Sequence, residues 1–522
     1  MLTASEKVKS LLSSISSDNS VKNTGLFTSP TTQSLLEPQS YDVSDTIIAL
    51  TYNPDKIWHF LCTLHSPAEL KTVADFWKLP KELDKLFTNE LKMDLNSVCA
   101  YILIAKAKEL ILTKEYSQAV ILLEAAEKTV RNAVKIQKII RWELLYCNLL
   151  SSKSGDGKST SADTTQKVKS CLYSLKVDSE LYPHDNLVIE CVSYLLLSKD
   201  WEYLSSLHDT RVAYTEYARQ MINVCKELPA VQYAKAPGKV LWESSIVIFS
   251  LQNVGKRVRL GNQAMLPKDA YKKFILTINE PLVLSVLISL LTKIYSLKTT
   301  DTDIDKTNQF SSVWPESMSM PLLNSIDKDY ICELMIQLVQ HALSINSMQS
   351  SWLKTYAEIQ FAVGNLRDAM KYYLQSANVA SNNFMQPVPS YVFDKEVYTR
   401  MVKCCVQLKQ YTQAAVLSQL FEEPDYMATF KYLQEKECHD GMDIYYDYLW
   451  DINIMEYLIH LHDKRGELDK KQQLITIISN PEINTNNPEP ILQTCRSQKT
   501  AKFFRLLCKQ YGYEAKSFSF SI

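Results

Sequence analysis

The scarcity of glycine is the feature of this sequence that most restricts its fold. The chain has ten glycines in 522 residues, roughly 2% where about 7% is usual. Tight β-hairpins, phosphate-binding loops and strained catalytic turns need residues that tolerate a positive φ or lack a Cβ. A chain with so few glycines has few positions for them, which favours an all-α fold. Its length favours about three or four domains or one repeat array.

Charge and hydropathy exclude several classes of protein. The 57 Lys and Arg residues balance 58 Asp and Glu residues, which excludes a polycation that coats nucleic acid. The longest apolar stretch, 282–291, is shorter than the ~20 residues of a membrane span. The first residues contain no apolar core of signal-peptide length, and the twelve cysteines form no CxxC pair. We expect a soluble intracellular protein with reduced thiols and no membrane contact.

Three segments are rich in Ser, Thr, Asp, Asn and Pro and lack apolar periodicity. We predict a disordered Ser/Thr-rich arm over 1–45, a disordered loop near 151–166 and a flexible loop over 298–322. The remaining sequence is helical in pattern. It divides into a helical-repeat region over 46–297 and a C-terminal tetratricopeptide-like region over 323–522.

The helical pattern comes in pairs of amphipathic segments. In 98–128, two stripes of apolar residues at helical spacing are separated by the break 113–115, which predicts an antiparallel helical hairpin. Small Ala107 and Ala119 would lie where the two backbones approach most closely.

The segment 352–380 repeats this architecture with a tetratricopeptide-like spacing. Ala357 lies in its first helix, Gly364 at the turn and Ala369 in its second helix. A weaker copy lies at 398–421. Since the copies are degenerate and irregularly spaced, we predict an all-α, irregular helical-repeat solenoid with tetratricopeptide-like helical hairpins.

Several short segments match part of a known catalytic or metal-binding motif, but each lacks residues that the motif requires. Gly157–Ser159 lacks the first glycine and the preceding strand of a phosphate-binding loop. Asp301–Asp305 opens like a calcium-binding loop, but the required glycine and closing glutamate are missing. Cys438 and His439, with His460 and His462, do not have zinc-ligand spacing. We therefore predict no catalytic, cofactor-binding or metal-binding residue, and no enzyme.

The densest basic stretch is a candidate nucleic-acid contact. It contains Lys256, Arg257 and Arg259, followed by Lys272 and Lys273. No aromatic residues interleave the stretch in the way that a single-strand platform requires. A solvated or protein-facing patch is the alternative interpretation.

Aromatic residues are unusually dense between 441 and 462, and three of them are candidate protein-interface anchors: Tyr445, Tyr448 and Trp450. Tyr and Trp commonly anchor interfaces. Because the aromatic residues occupy several helix faces, some of them must pack between neighbouring helices.

Several longer runs resemble the Integrator complex subunit 8 family, most specifically from about residue 350 to the C-terminus. The runs that carry this resemblance are Trp352–Tyr373, Met401–Cys405, His439–Asp443, Tyr445–Asp451, Lys464–Glu467 and Asp469–Lys470.

The resemblance implies a nuclear protein in a multisubunit assembly that is bound to RNA polymerase II. That assembly cleaves nascent transcripts, forms small nuclear RNA 3′ ends and attenuates transcription. The resemblance further implies a non-catalytic scaffold that binds other Integrator subunits and helps to attach the protein phosphatase 2A core enzyme. RNA polymerase II would be contacted indirectly.

One departure from the family bears on the phosphatase. Members carry a Trp-Phe-Glu-Phe motif in an N-terminal half, and this chain has no such motif. This argues against recruitment of the phosphatase by this polypeptide alone. We expect the chain to correspond to the C-terminal half of the family. The alternative function is a helical-repeat RNA-binding subunit that uses the basic stretch 256–273.

Overall fold

The computed structural model describes residues 100–512 with short gaps. The gaps are 101–102, 105–106, 109, 131–132, 154–161, 176–180, 208–212, 229–237, 251–258, 261–262, 265–266, 300–309, 436 and 485. The arm predicted over 1–45 lies outside the described residues.

The chain forms two compact units, and the division after Arg219 falls inside a helix. In the first unit, helical residues at 110–112 precede the first complete helix. The helices that follow are α1 Tyr116–Thr129, α2 Val134–Lys153, α3 Ala162–Tyr173, α4 Asp185–Leu197, α5 Trp201–Ser206 and α6 Ala213–Glu227, which crosses the division.

The second unit contains most of the tetratricopeptide-like sequence. Its helices are α7 Lys239–Phe249, α8 Lys268–Ile275, α9 Pro281–Lys298, α10 Met320–Ser325, α11 Lys328–Ile345, α12 Ser350–Val363, α13 Leu366–Ala380, α14 Lys395–Gln407, α15 Tyr411–Ser418, α16 Tyr426–Gln434, α17 Met442–Tyr445, α18 Ile452–Arg465, α19 Leu468–Ile478 and α20 Glu489–Gly512. Short 3-10 turns lie at Ser311–Val313, Tyr446–Tyr448 and Pro481–Ile483.

Strand structure is minimal in the part of the chain that the structure describes. Two-residue strands β1 Arg259–Leu260 and β2 Gln263–Ala264 pair antiparallel, with Arg259 opposite Ala264. One isolated bridge joins Ser250 to Ile326. The prediction of an all-α fold built from helical hairpins is therefore confirmed.

The two hairpins predicted in most detail are present. Ala107 and Ala119 are completely buried, as are Ala357 and Ala369. Side chains of this size allow the two helix backbones to approach closely. The spacing of small residues thus identified the contact line of each hairpin.

Five of the turns that close hairpins share one hydrogen-bonding pattern. After α12, the amide of Asn365 donates to the carbonyl of Gln360 (2.9 Å), and Gly364 between them has φ 90°. After α4, the amide of Asp200 donates to the carbonyl of Leu195 (3.1 Å) in the same way. This is the Schellman arrangement, in which a left-handed residue lets the next amides satisfy the last carbonyls of the helix.

Lysine replaces glycine at the left-handed position in three of these turns. Lys114, Lys199 and Lys409 have φ of 65°, 59° and 59°, whereas Gly364 and Gly466 fill the position elsewhere. A left-handed L-residue costs roughly 1–2 kcal/mol. The chain can therefore build its hairpins with few glycines, at a cost in conformational strain that each hairpin offsets by packing.

A buried ion pair joins two neighbouring hairpins in the second unit. The guanidinium of Arg400 on α14 bonds the carboxylate of Glu358 on α12, and both side chains are shielded from solvent. Burial raises the pKa of Glu358, and the charge of Arg400 opposes that rise. Removal of either partner would leave an uncompensated charge inside the protein.

Two segments predicted as loops contain regular or buried structure. Helix α3 begins at Ala162, inside 151–166. Within 298–322, Trp314 is buried, and its indole N–H donates to Ser289 Oγ on α9 (2.9 Å). The Trp314 ring also stacks on Trp242. Sequence periodicity could not reveal this segment because a single large side chain fixes it.

Helix α9 is the most apolar of the long helices that the structure describes. By length and composition alone it could cross a membrane, but 67% of its residues are buried among other parts of the protein. Extensive burial of this kind is typical of a core helix, which is how we interpret α9.

We predict that Lys199→Gly raises the free energy of unfolding by about 0.5–1 kcal/mol. Glycine removes the strain of a left-handed L-residue, and the greater conformational entropy of glycine in the unfolded chain offsets only part of that gain. Gly364→Ala should lower it by about 1 kcal/mol, since a Cβ at Gly364 meets no neighbouring atom and the penalty is purely conformational. Urea unfolding followed by circular dichroism measures both. Equal shifts of the same sign would contradict this account of the turns.

We predict that Arg400→Met lowers the free energy of unfolding by about 3–5 kcal/mol, because it leaves Glu358 buried without its counter-ion. The double variant Glu358→Leu, Arg400→Met should recover most of that loss. The comparison is made by urea unfolding of the two variants and the wild type. A double variant as unstable as the single one would mean that packing, rather than charge, dominates at this position.

Candidate protein-docking surfaces

One residue of the predicted basic patch forms an ion pair with a neighbouring helix at the protein surface. Lys256 and Arg257 lie outside the described residues, and Arg259 is described only as part of strand β1. Lys272 Nζ donates to Glu333 Oε1 on α11 (2.8 Å), and this contact lowers the pKa of Glu333. Lys273 is exposed. The stretch is therefore not a continuous row of uncommitted cations, since Lys272 is neutralised by α11.

Tyr445, the first of the predicted aromatic anchors, belongs to the core of the second unit. Its side chain is buried, and its ring packs edge-on against Phe503 with centroids 6.1 Å apart. Its hydroxyl donates to Gln510 Oε1 (2.8 Å) and accepts from Gln413 Nε2 (2.9 Å). Burial raises the pKa of Tyr445 to about 12. Tyr445 therefore holds helices together and is not available to a partner.

Tyr448 and Trp450 remain partly exposed. The Tyr448 ring lies 5.7 Å from that of Phe503. The side-chain amide of Gln419 fixes the backbone here, because its Nε2 donates to the Tyr448 carbonyl (2.8 Å) and its Oε1 accepts from the Trp450 amide (3.0 Å). The backbone at both residues is thus fixed, and a portion of each residue remains accessible, as an interface anchor requires.

A buried polar network around Gln413 was not predicted from the sequence. Besides Tyr445, Gln413 Nε2 contacts Gln510 (3.1 Å), and Gln413 Oε1 accepts from the Tyr511 hydroxyl (3.1 Å). The backbone amide of Gln413 donates to Asp440 Oδ2 (2.8 Å). The network joins α15 and α20 to the segment around Asp440. No local sequence signal could reveal it, because its members come from separate parts of the chain.

The histidines weighed as zinc ligands do not lie together. His462 is fully buried, with Nε2 2.7 Å from the Tyr446 hydroxyl and Nδ1 2.5 Å from Glu467 Oε2. His460 is exposed on the same helix. Among the residues that the structure describes, no group of three His, Cys, Asp or Glu side chains could hold a metal ion. His462 instead fastens the α18–α19 hairpin.

An apolar groove of about 620 Å³ is the clearest candidate docking surface within the second unit. We call it the Tyr391 groove. It lies between α9, the start of α12 and the loop that follows α13, and its apolar walls are formed by Ile288, Phe310, Met348, Trp352, Tyr391 and Val392.

A second cleft, of about 650 Å³, lies near the α18–α19 turn. It is lined mainly by charged side chains, including Asp440, Asp443, Arg465 and Glu467. Lys470 pairs with Glu467 across part of this cleft (3.2 Å). Its mixed, internally paired charges distinguish it from the Tyr391 groove.

Comparison with known proteins places the chain in a family. Residues 42–511 match the family model described as "INTS8, TPR repeats". Integrator complex subunit 8 of Homo sapiens is 32% identical over 485 residues, which are 89% of this chain and 48% of the human protein. The proteins of that name from Mus musculus and Xenopus laevis match with the same identity and coverage.

The chain belongs to the Integrator complex subunit 8 family. The resemblance predicted from the sequence is therefore confirmed, and the tetratricopeptide description agrees with the observed hairpins. The chain spans about half the length of these Integrator relatives. The "Integrator complex subunit 8-like protein" of Dictyostelium discoideum is 28% identical over 151 residues, which are 28% of this chain and 76% of that protein.

We predict that Glu467→Gln makes this Integrator family member less sensitive to acid. The His462 and Lys470 side chains lower the pKa of Glu467 against the opposing effect of burial. A carboxyl group whose pKa is lowered by folding stabilises the folded protein at pH values above its unfolded-state pKa of about 4.3. This stabilisation is lost as the pH falls through the folded-state pKa. The difference in unfolding free energy between wild type and variant should therefore be present at pH 6 and shrink towards pH 3. Urea unfolding across this range measures it, and a difference that grows on acidification would contradict the assignment.

Proposed function

We propose that this chain is a non-catalytic scaffold subunit of a nuclear Integrator complex and that it binds other Integrator subunits. Membership of the family is the observation that carries the proposal. The stacked hairpins support it physically, because neighbouring hairpins bury one another's inner faces and leave long outer faces for protein contacts. The chain would contribute binding surface to the assembly, and other chains would contribute the chemistry.

We propose Tyr448 and Trp450 as one contact region within this scaffold. Both rings are partly exposed, and Gln419 fixes their backbone. An ordered aromatic side chain loses little conformational freedom when a partner covers it. This arrangement is what an interface anchor near the C-terminal helices requires.

We further propose that the assembly containing this chain attaches protein phosphatase 2A to RNA polymerase II. Attenuation of transcription and formation of small nuclear RNA 3′ ends would follow from that assembly. The protein phosphatase 2A core enzyme is proposed as a partner of that assembly. RNA polymerase II is proposed as an indirect partner.

Affinity purification of the tagged chain from nuclear extract of its source organism tests the scaffold proposal. We expect mass spectrometry to find other Integrator subunits, and the phosphatase core enzyme with them. Recovery of no Integrator subunit would refute the scaffold proposal.

The contact region is tested with matched variants in the same purification. Tyr448→Ala combined with Trp450→Ala should lower the recovery of Integrator subunits at least severalfold, because it removes two anchors. Tyr173→Ala, an exposed aromatic in the first unit, serves as the control and should not change recovery. Circular dichroism establishes that each variant is folded. Equal recovery with a folded double variant would exclude the contact region and leave the scaffold proposal standing.

A further inference from the structure

Large apolar side chains that line the Tyr391 groove are exposed to solvent. Tyr391 is 76% exposed and Met348 is 70% exposed, and both line the groove together with half-buried Phe310. Two such side chains beside one concavity form an apolar patch rather than isolated surface residues. Aromatic and Met side chains are enriched at the centres of protein interfaces.

The wall that carries Tyr391 is held in place by the core. Lys354 Nζ on α12 donates to the Tyr391 carbonyl (3.1 Å) and to Asp394 Oδ2 (3.0 Å). Asp394 Oδ1 in turn accepts from the amide of Val397 and caps α14. The Tyr391 backbone is therefore fixed while its ring faces solvent.

The other end of the same loop is strained and equally well held. Asn382, Asn383 and Phe384 are three successive left-handed residues, with φ of 50°, 58° and 56°. Arg505 on α20 donates to the carbonyls of Asn383 and Phe384 at 3.0–3.2 Å, and the Phe384 ring packs against Phe504. Strain of this kind persists only where the surroundings over-determine it, and it concentrates at functional sites.

The charges around the groove restrict what can enter it. Among the lining residues that the structure describes there is no carboxylate, and the only cation, Lys354, is almost fully buried and already paired with Asp394. A charged side chain entering the groove would lose hydration and find no counter-ion. Hydroxyl and amide groups of Ser351, Thr355 and Gln349 lie beside the apolar wall. They suit the polar backbone of a polypeptide whose own side chains are uncharged.

We propose that the Tyr391 groove binds an uncharged, apolar segment of another protein subunit. The inference deepens the proposed scaffold function and rests on it, since the segment would come from a partner in the assembly. Tyr391 and Met348 would cover the entering apolar side chains. The fixed loop would reduce the entropic cost of binding, because its backbone is already ordered.

Site-specific photocrosslinking identifies the occupant. The photoreactive amino acid p-benzoylphenylalanine is placed at position 391 of the full tagged chain in cells of its source organism. A second chain carries it at position 173, where Tyr173 is 60% exposed in the first unit. Crosslinked peptides are then sequenced by mass spectrometry. We expect position 391 to crosslink to one segment of another subunit. The residues of that segment that reach the groove should include no Asp, Glu, Lys or Arg. Position 173 should not crosslink to that segment.

Binding of a synthetic peptide that reproduces the crosslinked segment then tests the charge argument. Met348→Lys should weaken the peptide at least tenfold, because a buried charge without a counter-ion costs more than the 1.4 kcal/mol that a factor of ten represents. Met427→Lys, at an exposed methionine that does not line the groove, should leave the affinity unchanged. Circular dichroism of both variants confirms that they are folded.

Several results would overturn the groove proposal. These are a crosslink to a charged segment, to a second copy of the chain or to the chain itself, and the absence of any crosslink while Integrator subunits still co-purify. An unchanged peptide affinity in folded Met348→Lys would also overturn it. In each case the scaffold function would survive if the wild-type chain still recovers Integrator subunits. Failure of that recovery would instead refute the scaffold function.

Discussion

The left-handed turn that follows a helix is the element on which the rest of this structure depends. In five of the described hairpin turns, the amide after the left-handed residue donates to a carbonyl five residues earlier, and the chain reverses. The turns that share this bond end at Glu115, Asp200, Asn365, Gln410 and Glu467. Without the reversal, two amphipathic helices could not bury their apolar stripes against each other, and neither helix would be stable alone.

Lysine at three of these turns is consistent with the electrostatics of helix ends. A helix presents partial negative charge at its C-terminus, so a cation there recovers part of the left-handed strain. Lys409 also pairs with Glu437 (2.6 Å), although both groups are well exposed and the pair adds little stability. The protein thereby folds into hairpins while remaining poor in glycine.

Buried polar contacts then set how neighbouring hairpins stack. The Glu358–Arg400 pair, Lys354 and the network around Gln413 join segments that are far apart in sequence. A buried polar group must have its hydrogen-bonding partner at a defined distance and direction. These contacts therefore restrict the arrangement of neighbouring hairpins more than apolar packing does. The same contacts decide which surfaces remain for partners. The network around Gln413 includes the buried Tyr445 hydroxyl, and Lys354 fixes the backbone of the exposed Tyr391.

Local patterns along the chain were enough to predict the fold class, the family and the hairpin contacts at Ala107, Ala119, Ala357 and Ala369. Helical periodicity, small-residue spacing and long family-specific runs are local signals, and they survive in a single sequence. The sequence also suggested Tyr448 and Trp450, which remain partly exposed.

Local patterns could not predict which polar and aromatic side chains lie in the core and which are exposed to solvent. Tyr445 and Tyr448 lie three residues apart in the same aromatic run, yet one is buried by α20 and the other is partly accessible. Tyr391 carried no motif, and its backbone carbonyl is held by Lys354, 37 residues earlier. Burial is a property of contacts between distant segments. The pattern along one segment cannot specify it.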